Sequence, residues 1–138
     1  MILIKEVKEI DERCIEALLP RAKQEMLSDL ELSDWVLKHS TQMWEVWAYG
    51  IPSLIVGIIP LSLIGGGNRI WCLPCHGLHI HNVAVARALK KIYMRKQRMN
   101  LTAFIKVEEY TAKRFARFFR FKPVGERVGE FELYRAEL

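Results

Sequence analysis

Cys72, Cys75, His76, His79 and His81 fall within ten residues, and thiolate and imidazole are the ligands that zinc and haem iron take. Cys72-Leu73-Pro74-Cys75-His76 has the Cys-x-x-Cys-His order of covalent haem attachment. That chemistry belongs to exported chains, whereas the Met-Ile-Leu-Ile-Lys-Glu start has no signal-peptide pattern. Three cysteines, an odd number, fit free thiols in a reducing compartment. A structural zinc site draws on two separated ligand pairs, and here every candidate sits in one run. Cys75 with His76 or His79 as base needs a third, orienting group, which the sequence does not supply. The expectation is strand thiols beside turn histidines, with no metal and no catalytic residue.

The same stretch has a second use. Arg69 to Cys75 reads as a strand, His76 to His81 as a polar turn and Asn82 onward as an amphipathic helix, the order that presents backbone N–H groups to an anion. On that helix Arg87, Lys90, Lys91, Arg95 and Arg98 share one side, and Val85, Leu89 and Ile92 the other. The face of Arg87, Lys91, Arg95 and Arg98 is expected to bind polyanions weakly and without sequence preference, because phosphate attraction carries no base readout.

The elements that must position this stretch follow from periodicity. Ile2 to Val7 suits an opening strand, and Asp11 caps a helix with Ile15, Leu18 and Leu19 inward, ended by Pro20. A helical piece over Arg21 to Leu30 and a short turn capped by Ser33 come next. From Met43 the period falls to two: Trp44, Val46 and Ala48 alternate with Glu45, Trp47 and Tyr49, as in a strand with unlike faces. Gly50-Ile51-Pro52 breaks it, Ser53 to Leu63 reads as a central strand covered on both faces, and Gly65 to Asn68 reverses the chain into the third antiparallel strand. Leu101 to Ile105 is a further strand, Glu108 to Phe119 a helix with Ala112, Phe115, Ala116 and Phe119 inward, and Gly129 to Ala136 a final strand.

With 138 residues, 51% of them hydrophobic and 27% charged, the chain fits one domain over residues 1–138 of mixed α/β (α+β) class. Its most apolar run, Ile51 to Gly67, is broken by prolines and glycines and falls short of the ~20 residues a membrane-spanning helix needs. The expected location is the cytoplasm. Charge is uneven: residues 1–68 hold 6 Lys/Arg against 10 Asp/Glu, and residues 69–138 hold 15 against 6, so the basic half is the one with the central turn.

Strand, two helices, three antiparallel strands, helix, strand, helix, strand is an order that resembles the GNAT acyltransferase superfamily over essentially the whole chain. A second likeness lies in the family's Asn-x-x-Ala-x-x-x-Tyr-x-x-x-Gly-Phe segment. Ala112 and Phe121 fall on its Ala and Phe, while Glu109, Ala116 and Arg120 replace Asn, Tyr and Gly. The resemblance implies a GNAT-like, mostly antiparallel central sheet flanked by helices. It also implies an acyl-CoA site at an Arg/Gln-x-x-Gly-x-Gly/Ala loop before the central helix. That place holds Cys75, His76, Gly77, Leu78, His79, Ile80 and His81, with Gly77 alone matching the glycine pattern.

Tyr49-Gly50-Ile51-Pro52, Ile70-Trp71, the basic helix and the Gly129-Glu130-Phe131-Glu132-Leu133 ending are most similar to degenerate GNAT-like phage proteins of the internal virion type. The resemblance implies a protein of phage or prophage, in cytoplasm or virion, that acts by binding or assembly on protein partners or on itself, with a vestigial loop and no cofactor. Two alternatives accompany it: an acetyl-CoA-dependent N-acetyltransferase with an atypical pyrophosphate loop, and a basic nucleic-acid-binding module.

Overall fold

Residues 1–20, 37–60, 67–95 and 101–136 are described by the computed structural model, the side chains of 79 and 92–95 excepted. In chain order they form β1 (Ile2–Val7), α1 (Glu12–Glu16), β2 (Gln42–Ala48), β3 (Ile51–Pro60), β4 (Asn68–Pro74), α2 (Gly77–Arg95), β5 (Leu101–Lys106), α3 (Tyr110–Phe118), β6 (Phe121–Val128) and β7 (Phe131–Ala136). The helical piece at Arg21 to Leu30 and the Ser33 cap lie outside the described residues. The strands make one sheet in the order β1-β2-β3-β4-β5-β7-β6, antiparallel except where β4 meets β5.

Alternation in β2 sorts the two faces. Val46 and Ala48 point to the α2 side and pack with Leu54, Val56 and Val85, while Trp47 points the other way and packs with Cys14, Leu18, Ile55 and Cys75 around α1. Val85 is wholly buried, and burial of such a side chain contributes about 1.5–3 kcal/mol. A third cluster, Ile58, Ala86, Leu101, Ile105, Phe119, Phe121 and Tyr134, joins β3 and α2 to β5, β7 and the end of α3.

Glu45, also turned toward α1, is a buried carboxylate with its hydrogen bonds made: it accepts from the Asp11 N–H at 2.6 Å and from Trp47 Nε1 at 3.2 Å. Asp11 caps α1 as expected, accepting from the Arg13 N–H at 2.9 Å. The helix stops sooner than its apolar spacing predicts, because Leu18 turns to bridge Cys75 at the end of β4.

Two departures concern the second half. β6 was not expected as a strand: its Lys122–Val128 side chains are all exposed, and Pro123 and Gly125 interrupt any alternation, as an edge strand permits. Residues 77–80, expected in a polar turn, are the first turn of α2, and a non-helical residue, His81 (φ −126°, ψ 28°), kinks the helix before its main segment.

Candidate functional site

β4 and β5 pair only through Asn68 with Leu101 and Arg69 with Thr102. From Ile70 onward β4 leaves β5, and backbone polar groups on that edge turn into a gap. A cavity of about 390 Å³ fills the gap and reaches both faces of the sheet. On the helical side its wall includes Ile70, Leu89, Ala112, Phe115 and Ala116. On the opposite side Arg69, Trp71, Leu73, Phe104 and Lys106 line it. Glu109, which precedes α3, is the one carboxylate among the described lining residues.

Trp71 is locked in this wall. Its Nε1 donates to Ser40 Oγ at 2.9 Å, and its ring lies over Gly57, its register partner on β3, so closely that a Cβ there would sit 2.2 Å from Cε2 and Cζ2. Arg69 places its Cζ 4.2 Å from the centre of the Phe104 ring, and its Nε is buried without a hydrogen-bond partner. Burial lowers its pKa.

The clustered thiols separate. Cys72 is open to the cavity, and desolvation by the surrounding walls pushes its thiol up to about 12. Cys75 is buried beneath α1, where its Sγ donates to Cys14 O at 3.5 Å and burial pushes its pKa up to about 12 as well. Thiols held this high keep their protons near neutrality and are poor nucleophiles. His76 is exposed beside Cys75. Among the described residues no three histidine, cysteine or carboxylate side chains gather where one metal ion could take them.

The expected phosphate loop, Cys75 to His81, is built on close approach. A Cβ on Gly77 would sit 2.6 Å from Pro52 O and 2.8 Å from Ser53 Oγ, so only glycine lets the turn rest on the start of β3. The Cys75, His76 and Leu78 N–H groups donate to Ser53 O (2.9 Å), Ala17 O (2.9 Å) and Cys75 O (3.1 Å) and are thereby occupied. The main segment of α2 restarts after His81, where Asn82 Oδ1 accepts from the Val83 N–H at 2.8 Å. His81 stacks on Tyr49, ring centres 4.7 Å apart, and Tyr49 (φ 52°) with Gly50 (φ 79°) forms the tight β2–β3 turn.

Ala84 and Ala86 flank the buried Val85 at the start of the main α2 segment.

Around α3, Ala112 and Ala116 face the cavity, and Arg120, which follows the helix, has a positive φ (62°). Of the expected polyanion face, Arg87 and Lys91 are exposed on α2; the Arg95 side chain and Arg98 lie outside the described residues.

The chain has the fold of the GNAT acetyltransferases. It is similar to N-acetyltransferase PseH of Campylobacter jejuni in complex with acetyl coenzyme A, with a TM-score of 0.62 and 13% identity over 99% of each chain. A GNAT-family acetyltransferase described as putative, from Desulfovibrio desulfuricans, matches at TM-score 0.66 and 16% identity over 99% of each chain. PaiA N-acetyltransferase of Thermoplasma acidophilum in complex with coenzyme A matches at 0.64 and 10%, again over 99% of each. No protein-family profile and no curated protein sequence matches the chain.

These neighbours correct the expectation of no cofactor: the fold is one crystallised with acetyl-CoA and with CoA. The physical reason lies in the loop. Large side chains around Gly77 were read as closing the cofactor site, but the slot between β4 and β5 stands open beside α2. No helix among the described residues is long and apolar enough to cross a membrane.

Proposed function

We propose that this protein is an acetyl-CoA-dependent N-acetyltransferase. The observation that carries the reading is the parting of β4 from β5 after Arg69, which opens an apolar slot of about 390 Å³ beside the start of the main α2 segment. The fit is chemical as well as spatial. Apolar walls from Ile70, Leu89, Phe115 and Ala116 suit an aliphatic arm, the restarting helix offers backbone N–H groups to a pyrophosphate, and Arg87 and Lys91 add exposed positive charge one turn on. When bound, acetyl-CoA supplies an acyl group already activated as a thioester.

The chain's own residues then position and exclude. Backbone groups of β4 along the gap orient the reacting carbonyl, the walls keep water out, and Glu109 takes a proton from the acceptor ammonium. Ala116 removes the phenol that many family members use as an acid, a contribution of roughly 100-fold or more. A thiolate is nonetheless a competent leaving group near neutrality, so the loss slows transfer and does not forbid it. The binding-and-assembly role and its phage setting rest on short sequence motifs alone, and the structural neighbours favour the transferase.

Calorimetric titration with acetyl-CoA tests this. The expected dissociation constant is tighter than about 1 mM, equivalent to roughly −4 kcal/mol, and Ala116→Phe, which fills the slot, should abolish the heat while leaving the far-UV spectrum intact. Thiol release with a panel of amines should accompany binding. Folded protein that shows no saturable heat at millimolar acetyl-CoA refutes the proposal.

A further inference from the structure

The cavity also has a wall on the face away from α2 and α3, and its chemistry differs. Arg69 stands there on the last rung where β4 and β5 still pair, at the apex of the gap. Its guanidinium lies against Phe104, its Nε is buried without an acceptor, and no carboxylate among the described residues forms an ion pair with it. Lys106, whose Nζ lies 5.8 Å from the Phe131 ring, lines the same wall. A buried donor left unbonded is costly, and a guanidinium seated over an aromatic ring still presents a planar fork of donors. Such a fork matches the paired oxygens of a carboxylate or phosphate.

We propose that Arg69 binds the anionic group of the acceptor, so that the substrate class is a primary amine that also carries a carboxylate or a phosphate. The inference rests on the transferase reading and deepens it. With acetyl-CoA lodged against α2, the acceptor enters from the Arg69 face, and its negative charge meets the Arg69 guanidinium, which has no ion-pair partner among the described residues, while the amine lies toward the open part of the gap. Arg69 is here a specificity-determining residue that touches substrate away from the reacting atoms.

The test compares wild type, Arg69→Gln and Arg69→Lys on three kinds of acceptor. β-Alanine and γ-aminobutyrate probe carboxylate, O-phosphoethanolamine probes phosphate, and β-alaninamide and ethanolamine are the uncharged controls. Wild type should favour one anionic arm over the controls by about 10- to 100-fold in kcat/KM, the range that charge-assisted hydrogen bonds supply. Arg69→Gln should erase that preference, leaving the controls within about twofold and acetyl-CoA affinity unchanged, and Arg69→Lys, which keeps charge but not the fork, should fall between. Wild-type preference for uncharged amines overturns the proposal, as does an equal loss on every acceptor, which is what a purely structural role would give. Failure of wild type to bind acetyl-CoA sinks the transferase reading instead. Direct titration of wild type and Arg69→Gln with β-alanine and O-phosphoethanolamine then decides the anion site by itself: heat lost in the variant supports it, and no heat in wild type overturns it.

Discussion

Replacing Gly57 by alanine adds one methyl group at the point where β3 and the cavity wall touch. That Cβ would lie 2.2 Å from two atoms of the Trp71 ring and 2.5 Å from its Nε1, so the indole must move. Movement costs twice. Overpacking of a fitted site typically costs about 1–3 kcal/mol, and the Trp71 Nε1 bond to Ser40, 2.9 Å long, is worth roughly 0.5–1.5 kcal/mol when broken. Alanine restricts the unfolded chain and returns about 0.4–1 kcal/mol. The net expectation is a loss of about 1–3 kcal/mol, or a melting point roughly 3–10 °C lower for a chain of this size. Urea denaturation followed by tryptophan fluorescence measures it, with the midpoint lowered and the slope retained. The clash with Trp71 predicts non-additivity: in a Trp71→Ala background Gly57→Ala should cost nothing further. A Gly57→Ala protein within about 0.5 kcal/mol of wild type, or one equally damaged with and without the indole, refutes the packing argument.

Asp11 carries a pH signature. Hydrogen bonds from the Arg13 side chain and backbone N–H hold its carboxyl at about 2 in the folded chain against an ordinary 3.8, so the stabilisation it gives is present above the ordinary value and is lost as pH falls through 2. Asp11→Asn should therefore flatten the acid limb of thermal stability between those two values by lowering the neutral melting point, since Asn still caps a helix but gives up the charge that Arg13 stabilises. Cys72, with its thiol pushed up to about 12 but open to the cavity, should react with iodoacetamide slowly at pH 7 and about tenfold faster per pH unit with no plateau by pH 9, whereas Cys14 and Cys75 stay unlabelled until unfolding; peptide mass spectrometry reads all three. Arg87→Glu with Lys91→Glu should elute from heparin at lower salt than wild type with an unchanged melting point, since both side chains are exposed.

How much of this was legible varied with how a residue's neighbours are chosen. β2 and the helix over Ala112, Phe115, Ala116 and Phe119 were readable because periodicity alone sorts their side chains between faces, and the acidic N-cap of α1 because the N–H it accepts from is local. The central strand was placed correctly in its body but starts earlier, at Ile51, since the Tyr49–Gly50 turn is tighter than the proline beside it implies. β6 was invisible because an edge strand with exposed side chains owes its state to pairing with β7 and has no core to pattern it. At the site, the spacing of small residues around Val85 was as local as any motif. What the sequence hid was the extra helical turn before them: the polar turn expected over His76 to His81 is helical from Gly77, which is demanded by the carbonyl of Pro52 above it. Arg69 gave no sign at all. Its meaning depends on where β4 and β5 part, a distance relation between strands more than thirty positions apart in the chain.

Those two rungs between β4 and β5 also make the sheet a jointed object. β1 to β4 form one leaf and β5, β7 and β6 another, and the backbone stitches them at Asn68–Leu101 and Arg69–Thr102 alone. The rest of the seam is held by the side chains of one cluster, in which Ile58 and Ala86 meet Leu101, Ile105 and Tyr134. Side-chain packing resists separation but tolerates small rotation far better than a hydrogen-bonded ladder does, so the leaves can rock about the stitch, and the amides flanking it should exchange with solvent ahead of those in the β2–β3 ladder. Anything lodged in the wedge spans both leaves. It acts as a splint, and its binding should be felt as stiffness along β1 and β6, beyond the residues of theirs that line the cavity.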